Sequence, residues 1–145
     1  MRFHLPIAVL LLLTASATGA EPAAVAVARQ VIARENARLA DEVEQTKNFM
    51  ARARLTPQAA AAYQHKMARM ESAVALHNLL LKQGEAIAQA GRRETLIAQA
   101  KTIVHADLER HYQEQIKAQQ AGAAGTKQAR ENEYQLLEEL KALEE

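Results

Sequence analysis

Apolar side chains recur at alternating steps of three and four residues along most of this chain, which is the spacing of one face of an α-helix. In the first such stretch, residues 23–54, no Gly or Pro interrupts the pattern. Its predicted seam is coiled-coil-like and consists of Ile32, Asn36, Leu39, Val43, Thr46, Met50 and Ala53. A polar seam residue such as Asn36 fixes the register or the number of packed helices, or it marks a helix packed loosely enough for water to enter.

A second helix is predicted to begin at Pro57, because Thr56 is a favoured N-cap and Pro a favoured first helical residue. It extends to about Ala90, and Gly91 either ends it or begins the next helix. The apolar seam of this helix consists of Tyr63, Met67, Met70, Val74, His77 and Leu81, with Ala73, Leu80 and Ile87 beside it.

Two further helical segments follow. The stripe of the third, over residues 92–120, consists of Ile97, Val104, Leu108 and Tyr112, with Leu96, Ala100 and Ile103 beside it. Residues 122–126 contain two Gly and predict a flexible linker. Residues 127–145 predict an acidic amphipathic helix that docks on the other helices, pairs with a copy of itself or binds a partner. The apolar stripe of this last helix is Tyr134, Leu136, Leu137, Leu140 and Leu143.

Long helices joined by short connections predict an all-α fold, an elongated antiparallel helical bundle over residues 21–121 with coiled-coil-like packing. A helix of about 30 residues is roughly 45 Å long. Beyond residue 20 the chain has one Phe and three Tyr. A core made mainly of Ala, Leu, Ile, Val and Met buries little apolar area per residue, so we expect self-association, as a dimer, to add stability.

The first twenty residues follow a different pattern, with Arg2 before the apolar run 7–13 and a small-residue stretch that ends at Ala20. This is the pattern of a secretory signal peptide, and the run is too short for a stable membrane anchor. We therefore expect cleavage after Ala20, a location in the periplasm and no membrane span in the mature chain. An uncleaved anchor is the alternative.

Composition removes several functional classes. The chain has 18 Lys+Arg against 17 Asp+Glu and no Cys. A near-zero net charge disfavours nucleic-acid binding, and the lack of Cys excludes thiolate metal sites, thiol catalysis and disulfides. One Ser, Ser72, follows residue 20, and the sequence has no G-x-S-x-G, no phosphate-binding Gly loop and no H-E-x-x-H. We expect no enzymatic activity, no catalytic residues and no cofactor.

A divalent transition metal is the open alternative to a cofactor-free protein. If Gly91 is the tip of the hairpin between the second and third helices, His77 and His105 lie level with each other, and Glu109 lies one turn beyond His105. Two imidazoles and a carboxylate suit zinc or copper. The competing interpretation is that His77 is a buried, hydrogen-bonded core histidine.

The segment Leu55-Thr56-Pro57, with Tyr63 and Met67 further along, resembles the LTxxQ segment of the Spy/CpxP/ZraP-type periplasmic helical proteins and the related metal-resistance sensors. Ala59 stands at the last position of that motif in place of Gln, which removes half of a Thr-x-x-Gln capping box. The resemblance implies an exported helical hairpin, often dimeric, that holds unfolded clients or senses envelope stress or metals.

These features predict an exported periplasmic binding protein with a chaperone-like or adaptor role, which captures unfolded clients or a protein partner along an apolar groove. Met67 and Met70 lie one turn apart on the second helix, and Met side chains adapt to varied partners. The alternative is that both are ordinary core residues. A structural subunit of an envelope or conjugation-type secretion assembly is the alternative function, and a metal-binding or metal-sensing protein is the second. The residues predicted to contact partners are Tyr63, Met67, Met70, Asn36, Tyr134, Leu137 and Leu140.

Overall fold

The computed structural model describes residues 22–85, 90–123 and 125–145, and these ranges contain helices and no strand. The all-α prediction is therefore confirmed. The predicted signal peptide and Ile87 lie outside the described residues. No helix in these ranges combines the length and apolarity needed to cross a membrane. The four helices are α1 (Ala23–Arg52), α2 (Pro57–Glu85), α3 (Ala90–Gln120) and α4 (Lys127–Glu144).

The connection between α1 and α2 follows the sequence prediction. Thr56 Oγ1 accepts a hydrogen bond from the Ala59 backbone N–H at 3.2 Å, so Thr56 caps α2 as predicted. At the next connection, α2 ends at Glu85 rather than near Ala90, and Gly91 lies in the first turn of α3, which is one of the two predicted alternatives. It is not the hairpin tip on which the predicted metal site depended.

The connection between α3 and α4 is built from two caps. Gly122 has a φ of 76°, in the left-handed region that favours glycine. Its N–H bonds to the Gln119 carbonyl at 2.9 Å, and the Ala123 N–H bonds to the Ala118 carbonyl at 2.8 Å, which is a Schellman motif. Thr126 Oγ1 then accepts from the Ala129 N–H at 3.0 Å and caps α4.

Helix α1 is the centre of the bundle, because it packs against α2, α3 and α4. Two apolar cores lie along it. We call the first the four-helix core; its buried residues are Val25, Ala28, Val31, Ile32, Leu96, Ala100, Ile103, Val104, Leu108 and Leu143. We call the second the two-helix core; it joins α1 to α2 through Leu39, Val43 and Met70, with Met67, Ala73 and Val74 against them.

The predicted seam of α1 is confirmed where α1 faces α2. Its buried members are Ile32, Leu39, Val43 and Thr46. The prediction missed a second buried line, Val25, Ala28 and Val31, which belongs to the four-helix core. A helix that contacts three neighbours must bury a wider face than a single coiled-coil seam provides.

The stripe predicted for α3 is largely confirmed, with one correction at its end. Tyr112 was expected on the apolar stripe, but 43% of its surface is exposed. The adjacent His111 is buried instead. Consequently an imidazole, and not a phenol ring, fills the last buried position of α3.

Helix α4 docks on α1 and α3 within the same chain. Leu143 is only 3% exposed and belongs to the four-helix core, and Leu136 and Leu140 pack against that core. Tyr134 and Leu137 lie on the exposed side of α4. Of the three placements left open for the last helix, the structure therefore contains the intramolecular one.

Candidate functional site

An open groove runs along α1 and α2. Its volume is about 680 Å³, and it contains an aromatic pair, Phe49 of α1 and Tyr63 of α2. The two ring centroids are 5.3 Å apart and the rings are tilted by 56°. We call it the aromatic groove; its lining residues are Arg38, Asp41, Glu42, Gln45, Thr46, Phe49, Tyr63 and Lys66.

Three of the four charged residues that line the aromatic groove, Arg38, Glu42 and Lys66, are paired with one another. Glu42 accepts hydrogen bonds from Arg38 at 2.8 Å and is ion-paired with Lys66, whose Nζ lies 2.7 Å away. The Lys66 contact, followed by Arg38, holds the pKa of Glu42 below its usual value. Hydrogen bonds to Glu35 and Glu42 raise the pKa of the Arg38 guanidinium. The groove therefore presents paired charges beside its aromatic rings.

The Met residues predicted to contact partners lie elsewhere. Met70 is buried in the two-helix core, and Met67 packs against that core. Both therefore help to hold α2 on α1, as in the competing interpretation of ordinary core residues. Tyr63 is the member of the predicted set that lines the aromatic groove.

On α4, the predicted contact residues divide between the two faces. Leu140 packs against the four-helix core. Tyr134 is 67% exposed and Leu137 is 44% exposed, so both side chains are accessible.

Asn36 pairs within the chain. Its Nδ2 donates to the Asn78 Oδ1 at 2.8 Å, and its Oδ1 lies 2.8 Å from the Nδ1 of His77. Both partners are on α2, so Asn36 sets the register of α1 against α2 and is not left as an unpaired polar group on the seam.

His77 is buried and uses both ring nitrogens. Its Nδ1 faces Asn36 and its Nε2 lies 3.0 Å from the amide nitrogen of Gln99 on α3. Burial lowers the pKa of His77, opposed by the charge of Glu35. His77 is thus a hydrogen-bonded core histidine, as the competing interpretation proposed.

The structure does not bring together the three predicted metal ligands. His77 lies level with Gln99 rather than His105, because α2 ends at Glu85 and Gly91 is already part of α3. His105 and Glu109 are exposed on α3. In the described ranges, no three His, Asp or Glu side chains form a group that could hold a metal ion.

Sequence reasoning missed a chain of seven ion pairs that connects all four helices. It begins where Arg34 of α1 bonds Glu139 of α4 with both guanidinium nitrogens, at 2.6 and 2.9 Å. Arg34 also bonds Asp107 of α3 at 3.2 Å. The remaining links, in order, are Asp107–Arg110, Arg110–Glu35, Glu35–Arg38, Arg38–Glu42 and Glu42–Lys66.

The pairs within α1 could have been found from their spacing of three and four residues, which places Glu35, Arg38 and Glu42 on one face. The pairs between helices depend on how far each helix is shifted along its neighbour. The spacing of apolar residues along one helix does not predict this axial shift.

Comparisons with protein-family models, curated proteins and solved structures give no match to this chain. The resemblance of residues 55–67 to the LTxxQ segment therefore stays a prediction.

Proposed function

We propose that this chain is an exported helical binding protein that holds apolar segments of unfolded polypeptides in the aromatic groove. It acts without catalysis, as a chaperone-like or adaptor protein. One observation carries the proposal, namely where the few aromatic side chains lie.

Beyond residue 20 the chain has four Phe and Tyr side chains, and neither apolar core contains any of them. Phe49, Tyr112 and Tyr134 are exposed, and Tyr63 is half-buried. Aromatic side chains are enriched at protein interfaces, where a few of them supply most of the binding energy. A protein that builds its core from aliphatic residues and keeps its aromatic residues at the surface is organised for binding.

The aromatic groove is the place where two of these four side chains meet. Phe49 and Tyr63 come from different helices, so the α1–α2 packing fixes their separation. The neighbouring cations Arg38 and Lys66 are both paired with Glu42. With Asp41, the groove is lined by two cationic and two anionic side chains, so it has no net charge. This favours apolar segments of varied sequence over strongly charged ones.

An envelope-assembly role was favoured by the polar seam residue Asn36 and by a detachable last helix. Both features are engaged within the chain, since Asn36 bonds His77 and Asn78 and α4 docks on α1 and α3. The metal-binding role rested on three ligands that do not meet. Client binding loses Met67 and Met70, which pack in the two-helix core, but it keeps Tyr63 in the aromatic groove.

The test is suppression of the aggregation of several chemically denatured client proteins by the purified chain. We expect Phe49→Ser to require roughly tenfold more protein for half-maximal protection, the loss of one interface hot spot. Tyr134→Ser is the control, because it removes an exposed aromatic residue on α4, outside the aromatic groove. Circular dichroism verifies that both variants fold.

Failure of the wild-type chain to protect any client would contradict the proposal. Equal protection by wild type and Phe49→Ser would move the binding site away from the aromatic groove. A separate measurement tests export: N-terminal sequencing of the protein from the cell envelope should begin at Glu21, and a sequence that begins at Met1 would refute cleavage.

A further inference from the structure

Helix α4 lies in a groove between α1 and α3, which we call the α1–α3 groove, and its apolar residues complete the four-helix core there. Leu143 belongs to the same buried core as Val25 and Ala28 of α1 and Val104 of α3. If α4 left this groove, these apolar side chains would lose part of their cover, at a cost in free energy proportional to the exposed area. The groove therefore needs an amphipathic helix with the leucine spacing of α4.

The polar contacts between α4 and the helices α1 and α3 also favour an acidic helix in this groove. Glu139 of α4 forms a bidentate pair with Arg34 of α1. Glu133 accepts from the Tyr112 hydroxyl at 3.0 Å, and its other oxygen lies 3.9 Å from the His111 Nε2. An acidic helix thus lies against a cation, a hydroxyl and an imidazole. A second copy of α4 brings the same leucines and the same carboxylates.

The connection that folds α4 back depends on backbone geometry rather than packing. A Cβ atom added at Gly122 or at Gly125 would meet no atom within 4 Å. The reversal is made by the positive φ of Gly122 and by the Thr126 cap. The other residues of the connection are Ala, which has the highest helix propensity.

A helical φ at Gly122 would let α3 continue toward α4 as a straighter helix. In that state α4 cannot reach the groove of its own chain, because a continuous helix does not fold back on itself. It can reach the groove of a second copy, whose own α4 has also left.

We propose that two copies of this chain exchange α4, each filling the α1–α3 groove of the other, and that Gly122 is the hinge. Docking of α4 within its own chain has the advantage of a high effective concentration, so the monomer prevails in dilute solution. The exchanged dimer forms when the protein concentration rises. This partner is a second copy of the chain, and the proposal is independent of client binding in the aromatic groove.

Hinge variants provide the first test, with mass measured by light scattering across a dilution series. Gly122→Ala places a Cβ at a left-handed φ, so we expect the dimer association constant to rise at least about tenfold. Gly122→Ala/Gly125→Ala should be dimeric at all but the lowest concentrations. Gly125→Ala alone is the matched control, because among the described residues only Gly122 has a positive φ. A Cβ atom at Gly125 should therefore leave the hinge unchanged. A folded double variant that stays monomeric would overturn the proposal.

Crosslinking identifies the exchanged helix with the hinge left intact. The chain has no Cys, so single cysteines can be placed freely. One copy carries Tyr112→Cys and the other carries Glu133→Cys, and the two are mixed at high concentration and treated with a short bis-maleimide. The control pair, Lys47→Cys and Glu71→Cys, lies across the α1–α2 contact, which exchange leaves within each chain.

We expect a crosslinked heterodimer from the first pair and none from the second. No heterodimer from either pair would overturn the exchange. Equal yields from both pairs would also overturn it, since they would show association that does not involve α4 in particular.

Discussion

Asn36 on α1 and His77 on α2 are joined by a hydrogen bond between Asn36 Oδ1 and His77 Nδ1, which lie 2.8 Å apart. Asn36 donates its Nδ2 to Asn78, so its Oδ1 is an acceptor and the His77 Nδ1 carries a proton. His77 Nε2 then accepts from the Gln99 amide on α3. A neutral imidazole that is 3% exposed therefore connects three helices.

Acid should destabilise the fold through His77. Burial lowers the pKa of its imidazole in the folded state, so the unfolded chain takes up the proton first as pH falls. The stabilising contribution is fully present above the unfolded pKa of about 6.5 and is lost as pH falls from there through the lower folded pKa. Urea unfolding at pH values from 8 to 5 measures this slope.

His77→Gln should be less stable than wild type at pH 8, by about 1–2 kcal/mol, because the network loses its geometry. Its stability should depend less on pH between 7 and 5. His105→Gln, at an exposed histidine, is the control and should keep the wild-type slope. A wild-type slope in His77→Gln would assign the acid sensitivity to another group.

Arg34 should be the most important cation of the ion-pair chain, because it joins α1 to both α3 and α4. Arg34→Ala leaves Asp107 and Glu139, whose side chains are 15% and 17% exposed, without their shared partner. We expect a loss of roughly 2 kcal/mol in the free energy of unfolding.

Lys127→Ala removes one cation from an exposed pair with Glu131 on α4 and serves as the control. Its effect should stay below about 0.5 kcal/mol. Urea unfolding at low and at 1 M salt separates the two contributions, and a loss in Arg34→Ala no greater than that in Lys127→Ala would show that the chain of ion pairs adds no stability.

The helices themselves followed from the sequence, because the spacing of apolar residues and the Thr56 cap are local properties. The position of the second hairpin did not follow. Gly91 was expected to end α2 or to begin α3, and it lies in the first turn of α3, whereas the metal site assumed that it was the hairpin tip. The resulting shift of α3 against α2 placed His77 opposite His105, whereas the structure places it opposite Gln99.

The predicted contact residues also depended on how the helices pack against one another. Tyr63 was predicted as a contact residue, and the structure places it in a groove with Phe49, whose side of α1 was not considered. Met70 was predicted either to contact partners or to be ordinary core, and the structure buries it in the two-helix core. The sequence left both open, because the outcome depends on which face of α2 meets α1. Contacts between helices depend on rotation and axial shift, and neither is encoded by the period of the pattern alone.

Leu143→Ala should destabilise the protein by about 2–4 kcal/mol, because it leaves a cavity in the four-helix core, where Leu143 is only 3% exposed. Leu137→Ala is the matched control on the exposed face of α4 and should cost less than about 1 kcal/mol. Thermal and urea unfolding measure both. Similar losses in the two variants would contradict the docking of α4 through Leu143.

The N-terminus of α2 offers a change that should add stability. Thr56 caps the Ala59 N–H, and Gln at position 59 would reach back to the Thr56 N–H and complete a capping box. We expect Ala59→Gln to raise the free energy of unfolding by about 0.5 kcal/mol, and Thr56→Ala to lower it by about 1 kcal/mol. In the double variant Thr56→Ala/Ala59→Gln, the gain from Gln should shrink, because half of the reciprocal pair is missing. If the gain from Gln is the same with and without Thr56, the two side chains act independently and no capping box has formed.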